Sequence, residues 1–302
     1  MTRRKSTSTP ARWKADSALF VVALIWGTTF VVVKQAIAEI SPTYFLTLRF
    51  GLATLCMLFL FAPALRNAGW RAAGRGLLGG AAAGCFLWLG YILQTIGLEF
   101  TTVGNSGFLT GLYIVLVPII SAMLYRRWPQ IAELGGIAIA STGMLLLTLP
   151  SLEHEFHFNH GDLLTLACAV AFACHLLTLG YFSQRERFEA IAIGQILCCA
   201  VLSSAMLPFE HPVVHWTPAV LFGIALTGVF ATAVAFALQT WAQQYTTATR
   251  TALIFALEPV FAFITAVIAG GELLRWSSVV GGTLIVGGIL LVELKFTWRR
   301  TK

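Results

Sequence analysis

The chain has 302 residues, of which 58% are hydrophobic and 11% charged, with 27 glycines and a mean hydropathy of +0.81. A soluble globular domain carries about 25% charged residues, so this composition excludes a water-soluble enzyme or regulator and calls for lipid as the solvent. The formal net charge of +7 reads as basic loops facing anionic lipid and not as a nucleic-acid surface, because the basic residues flank apolar runs.

Crossing a hydrocarbon core of roughly 30 Å takes about 20 apolar residues. In chain order, spans are predicted at 17–38, 43–62, 76–98, 102–124, 131–149, 162–183, 189–208, 218–243, 247–269 and 276–294. They are read as helices because an unpaired peptide group in lipid costs several kcal/mol and only helices or closed barrels pair them all. Barrel strands alternate over about ten residues, whereas these runs are continuously apolar. The first run follows a basic head, Arg3 to Lys14, and ends in Ala36-Ile37-Ala38, as a cleaved signal would. Its length and its internal Lys34 favour a retained helix. The fold class expected is thus all-α integral membrane, with ten transmembrane helices.

The loop charges test this division. With Lys34 and Arg49 inside spans, every other lysine and arginine except Arg275 falls on one side of the membrane. That is the positive-inside asymmetry, and it sets both termini in the cytoplasm of a multi-pass protein of the cell (inner) membrane. All six cysteines fall inside spans and read as small apolar residues, with no disulfide or metal spacing.

LGYILQTIGLEFTT, residues 89–102, aligns with VAFALQTWAQQYTT, residues 234–247, at a shift of 145. Gln94-Thr95 falls on Gln239-Thr240, Thr101-Thr102 on Thr246-Thr247, Gly136 on Gly281 and Gly143 on Gly288. Near the start, Asp16 and Trp26 fall on Asp162 and Phe172 at a shift of 146. Setting Val117-Pro118 against Glu258-Pro259 needs one extra turn of four residues in the first half. Each half then holds five spans, and an odd number forces the second copy to cross the membrane in the opposite sense. Inverted repeats of this kind place a substrate site near the midplane. The expected organisation is a cytoplasmic basic tail 1–16, a first repeat 17–149, an external connector 150–161, a second repeat 162–295 and a basic tail 296–302.

WGTTFVVVK (26–34), TYFLTLRFG (43–51), GNSGFLTGLYIVLVP (104–118), GDLLTLACAVAFACH (161–175), ALEPVFA (256–262) and GGE (270–272) resemble the EamA family of the drug/metabolite transporter superfamily, in family order and over about residues 17–295. The resemblance implies a ten-helix carrier of small metabolites, often an exporter of amino acids or related compounds, working by alternating access around a central cavity. It implies no cofactor.

Polar groups inside spans are the candidates for a substrate cavity or gate, since ionisable groups in lipid usually face a cavity or a partner. Glu258 lies near the midplane beside Pro259, which kinks its helix and frees a carbonyl near 255. It reads either as a cavity carboxylate for a cationic group or a proton, or as a structural acid at a hinge. Trp26, Phe30 and Lys34 share one helix face; Lys34 either draws an anion inward or snorkels to the interface. Arg49 contacts substrate or pairs inside the fold. His175 is a proton relay or a hydrogen-bonded packing residue. Tyr91 and Gln94 share a face, as do Gln239 and Gln243, and Gln94 with Gln239 form a repeat-related amide pair. Asn105, in the GNSGFLTG stretch, completes the set. Gly76, Gly80 and Gly84, and Gly107 with Gly111, read as close helix packing. His154, His157 and His160 in the connector read as a solvated loop and not as a metal site.

The expected partners are a small-molecule substrate and the lipid bilayer, with protons the candidate coupling ion, a homodimer the candidate assembly and no nucleic acid. Export of drugs or organic cations is the nearest alternative. A channel fits less well because no ring of charge or carbonyls is indicated. A membrane enzyme fits less well still, since no phosphate loop, H-E-x-x-H pair or G-x-S-x-G elbow is present.

Overall fold

The computed structural model describes residues 9–126, 128–152, 159–210, 213–268 and 274–298. Among the described residues every regular element is helical, and one isolated antiparallel bridge, Ile40 to Val214, ties two loops together. In chain order the helices are α1 (Thr9–Ile37), α2 (Pro42–Ala68), α3 (Trp70–Phe100), α4 (Val103–Gly111), α5 (Tyr113–Tyr125), α6 (Ile131–Leu152), α7 (His160–Ser183), α8 (Phe188–Met206), α9 (Pro218–Gly228), α10 (Ala235–Ala242), α11 (Ala248–Phe255), α12 (Glu258–Ile268) and α13 (Trp276–Trp298). A single 3₁₀ turn, Leu207–Phe209, follows α8, and a π-helical segment, Val229–Val234, joins α9 to α10.

Eight of the resulting segments are long and apolar enough to cross a membrane among the described residues. Two shorter apolar helices, Ile131–Leu147 and Trp276–Val292, occupy the stretches expected at 131–149 and 276–294. Several helices outrun their predicted spans. α1 starts at Thr9 and α3 at Trp70, because a helix continues into the polar interface where hydropathy no longer marks it.

Besides the span that carries the π-helical segment, two spans expected to be continuous are interrupted. α4 gives way to α5 at Leu112, whose N–H turns back to the Leu109 and Thr110 carbonyls. α11 ends at Phe255 and α12 begins at Glu258; Ala256 and Leu257 close the gap with short-range bonds, Leu257 N–H reaching the Ile254 carbonyl at 3.1 Å. The two breaks coincide at the plain shift of 145. Val103 falls on Ala248 and Tyr113 on Glu258, so the inserted turn that would set Pro118 against Pro259 is not needed. Both helix pairs start on a threonine cap at the same matched position: Thr102 accepts from Asn105 N–H and Thr247 from Arg250 N–H.

Glycine sets the helix spacing. A Cβ placed on Gly76 would lie 2.5 Å from Ala190 Cβ, on Gly80 2.3 Å from the Ile191 carbonyl, and on Gly84 2.6 Å from the Gln195 carbonyl, so α3 and α8 touch backbone to backbone. α6 and α13 meet through Gly136 against Gly288 and Gly143 against Gly281. Gly111 also packs, against Met144, but a Cβ on Gly107 would meet nothing within 4 Å, so the expectation of packing fails at that position. Two large apolar clusters fill the interior, one around α1, α5 and α11 and the other around α2, α3 and α8, with a small third of Ala83, Leu179 and Ile191; Trp26 and Phe172 pack against both large ones.

Gly80→Val is expected to lower the yield and thermal midpoint of detergent-solubilised protein sharply, since overpacking costs about 1–3 kcal/mol even where neighbours are side chains and here the neighbour is backbone. Gly51→Ala, with nothing within 4 Å of the new methyl, is expected to behave as wild type in the same fluorescence-detected thermal assay.

Candidate functional site: a central aromatic cavity

The interrupted helices converge on a central cavity with an empty volume of ≈ 720 Å³ including its mouth. α1 supplies Trp26, Thr29 and Phe30, α2 Arg49, α3 Tyr91, Gln94 and Thr95, and α7 Phe172 and His175. α10 supplies Phe236 and Gln239, while Thr110, Tyr113, Phe255 and Glu258 come from the two helix breaks. The walls are thus mainly aromatic. Tyr91 meets Phe50, Phe172 and Phe236 edge to face, with centroids 5.4, 5.5 and 6.2 Å apart, and Trp26 lies 5.2 Å from Phe236 and 5.0 Å from Phe255.

Arg49 is held by the π-helical segment. Its Nε donates to Thr232 Oγ1 at 2.7 Å, and its Nη2 donates to Tyr91 Oη at 3.2 Å and to the Ala231 carbonyl at 3.4 Å. The guanidinium also lies 4.7 Å from the Tyr91 ring centre. The wide turn makes this possible: Ala235 N–H bonds the Phe230 and Thr232 carbonyls and bypasses Ala231. The Ala231 carbonyl then accepts from Trp26 Nε1 at 2.8 Å as well. No carboxylate lies within ion-pair distance of Arg49 among the described residues. Nη1 has no protein partner there.

Glu258 is the first residue of α12, where the helix N-terminus favours negative charge. Among the described residues its carboxylate accepts no hydrogen bond and forms no ion pair. An arginine and a glutamate therefore line one cavity without meeting.

His175, 2% exposed, sits in a polar chain. Gln195 Nε2 donates to Thr240 Oγ1 at 2.9 Å, which leaves Gln195 Oε1 to accept from His175 Nε2 at 3.0 Å. Gln94 Nε2 donates to Thr110 Oγ1 at 3.0 Å. Gln239 is different: it is 1% exposed, and neither end of its amide has a protein partner among the described residues. A buried amide left open in a cavity wall is a group to which a polar ligand can bind.

Eight of the ten expected site residues line the cavity: Trp26, Phe30, Arg49, Tyr91, Gln94, His175, Gln239 and Glu258. The structure places the other two elsewhere. Lys34 Nζ donates to the Leu98 carbonyl, strapping α1 to the end of α3, and Asn105 sits in the first turn of α4 with its Oδ1 buried. Phe172, Phe236, Phe255, Thr110 and Tyr113 are cavity residues that the reading of polar groups passed over. Aromatic and hydroxyl residues in a span look like core, and the available sequence signal is the shift of 145, at which Phe236 falls on Tyr91 and Tyr113 on Glu258. His154 and His157 of the connector and Glu272 of the GGE motif lie outside the described residues.

With this geometry in view, comparisons with known proteins point one way. The sequence matches the EamA-like transporter family over residues 13–149 and 159–294. A protein of Archaeoglobus fulgidus named "Uncharacterized transporter" is 36% identical over 94% of this chain and 87% of its own length. One of Salmonella typhimurium named "Probable amino-acid metabolite efflux pump" is 24% identical over 93% of this chain and 95% of its own. A solved crystal structure shares the fold with a TM-score of 0.76 at 20% identity, covering 94% of this chain and 98% of that one.

Thr110→Cys, at a cavity wall, is expected to react with a small water-soluble thiol reagent faster than the native cysteines do, whereas Leu19→Cys, at a 0% exposed position, is expected to stay unmodified. Mass spectrometry of the labelled protein reads both.

Proposed function

The chain belongs to the EamA-like transporter family, and on that premise we propose that it is a secondary transporter that exports amino acids or closely related zwitterions across the cytoplasmic membrane by alternating access. One observation carries the reading. Arg49 and Glu258, a guanidinium and a carboxylate without ion-pair partners among the described residues, line one aromatic-walled cavity. A zwitterion brings both complements, a carboxylate for Arg49 and an ammonium for Glu258. The name of the Salmonella relative agrees with this class.

Alternating access rests on the inverted repeat, and the geometry supports it in several places. The contact of Gly136 with Gly288 becomes, after the shift of 145, the contact of Gly281 with Gly143, so the α6–α13 crossing maps onto itself. Trp26 against Phe236 at 5.2 Å maps onto Phe172 against Tyr91 at 5.5 Å. The cavity wall is itself largely paired: Trp26 with Phe172, Thr29 with His175, Tyr91 with Phe236, Gln94 with Gln239, and Tyr113 with Glu258. A cavity lined by matched pairs is what a pseudo-two-fold axis between two five-span halves would produce.

The two ends of the cavity differ in closure. From Arg250 to Leu257, on the cytoplasmic side in the positive-inside topology, every residue is buried, whereas α12 on the other side has no buried residue. Arg250 clamps the closed end through Asp16, with Nε to Oδ1 at 3.1 Å and Nη2 to Oδ2 at 2.8 Å. At the matched outer position Asn105 replaces Arg250, and Asp162 instead accepts from Thr101 Oγ1 at 2.6 Å. This arrangement fits an outward-facing state, closed inside by an ion pair that the matched outer residues Asn105 and Asp162 do not form.

A second reading, export of organic cations, draws on the aromatic rings around the single carboxylate. Flux of amino acids, amines, sugars and organic anions in reconstituted vesicles, with and without a proton gradient, separates the two. Neutral amino acids are expected to be carried, and flux of amines alone would favour the second reading. Glu258→Gln keeps shape and removes charge, so amino-acid flux is expected to fall at least about tenfold, the equivalent of about 1.4 kcal/mol, with any dependence on the proton gradient weakened. Normal flux at matched membrane abundance would take Glu258 out of the mechanism. The topology is checked separately: Phe156→Cys in the connector is expected to react with an impermeant reagent added outside intact cells.

A further inference from the structure

A second chamber, with an empty volume of ≈ 340 Å³ including its mouth, opens off the central cavity between the α4–α5 break and α12. Phe30, Thr110, Tyr113 and Glu258 border both spaces, and Gly107, Gly111, Pro259 and Ala262 complete the chamber. Tyr113 is 6% exposed, and its hydroxyl has no protein partner among the described residues. Apart from Glu258 at the border, nothing charged lines the chamber.

The chamber is written into the sequence and is not only a consequence of the open outer end. The residues matched at a shift of 145 to Gly107, Thr110, Gly111, Pro259 and Ala262 are Ala252, Phe255, Ala256, Ile114 and Val117. Each of these is larger than its partner, and all are buried against one another at the closed end. Phe30, matched to the smaller Leu176, is the exception. The two halves have therefore diverged in volume at one end of the cavity, next to the residue that also carries the charge difference between Tyr113 and Glu258.

We propose that this chamber receives the side chain of the transported zwitterion, that the side chain is uncharged, and that Gly107 sets the largest one accepted. The inference rests on the amino-acid reading above. An ammonium at Glu258 and a carboxylate toward Arg49 put the α-carbon at the junction of the two spaces, where the remaining substituent has the chamber before it. Its walls of Gly, Ala, Pro and Phe offer apolar contact, Tyr113 and Thr110 offer hydroxyls, and Glu258 repels an acidic side chain. Gly107 is the position to vary because a Cβ there meets nothing within 4 Å, whereas one on Gly111 would run into Met144 Sδ at 2.4 Å.

The test is initial flux of glycine, alanine, valine, leucine and phenylalanine in vesicles carrying wild type, Gly107→Ala, Gly107→Val or Gly107→Phe, at matched abundance and thermal midpoint. Leucine and phenylalanine flux is expected to fall at least about tenfold in Gly107→Val, with glycine and alanine flux nearly unchanged. Gly107→Cys, modified after reconstitution with thiol reagents of graded size, repeats the series on protein already folded. Equal loss across all substrates would mean that Gly107 serves helix closure and would overturn the proposal, as would an unchanged profile. Absence of amino-acid flux in the wild type would instead defeat the reading on which it rests, so the two failures are told apart.

Discussion

A peptide group left unpaired in hydrocarbon costs several kcal/mol, and the structure is organised by where that cost is avoided. Most of the chain avoids it by continuous helix. The helix is interrupted at Leu112, at Ala256–Leu257 and over Val229–Val234, and all three interruptions border the central cavity or anchor a residue that does. Tyr113, Phe255 and Glu258 flank the first two, while the third holds Arg49 and Trp26 through Ala231 and Thr232. Irregular backbone and the polar side chains of the site share one location for one reason, since only there can freed groups find a partner other than lipid.

Close packing elsewhere keeps that location open. Backbone contact between α3 and α8, and between α6 and α13, depends on glycines whose replacement would drive a Cβ into a carbonyl. Trp26, Tyr91, Phe172, Phe236 and Phe255 stand instead where the helices diverge around the cavity, and they pack ring against ring, mostly edge to face, without filling it. The bundle is thus tight where small residues meet and hollow where Trp26, Tyr91, Phe172 and Phe236 stand opposite one another. Volume was distributed along the helices to leave a space of one size in one place.

The sequence disclosed much of this, unevenly. Apolar runs located the helices because lipid imposes a length and a composition. Buried ionisable and amide groups pointed to the cavity because they are costly anywhere else, and most of them line it. The partner of Lys34 was not legible because a long flexible cation reaches whichever carbonyl is near, here Leu98, and its choice depends on tertiary geometry. The π-helical segment was not legible: VFATAV carries no proline or glycine to announce a wide turn. Gly107 reads as packing because spacing alone cannot distinguish a glycine that admits a neighbouring helix from one that faces open space. Aligning the two prolines calls for an extra turn, whereas the breaks before Tyr113 and Glu258, which coincide at the plain shift of 145, are visible only in the structure.

On the proposed reading, departures from internal symmetry matter more than the symmetry. A cavity on an ideal two-fold axis would present the same groups from both sides and would hold a zwitterion equally well in either direction. Here Arg49 faces a half in which the matched residue is Gln195, tied to His175 and Thr240, and Glu258 faces a half in which the matched residue is Tyr113. The substrate's two charges then have one favourable orientation. Once that orientation is fixed, its third substituent is also fixed in direction, so a difference of a few methyl groups between Gly107, Gly111 and Ala262 and their partners Ala252, Ala256 and Val117 acts on the side chain alone. Charge asymmetry orders the molecule and volume asymmetry selects it. The second can work only because the first has already removed the freedom to turn around.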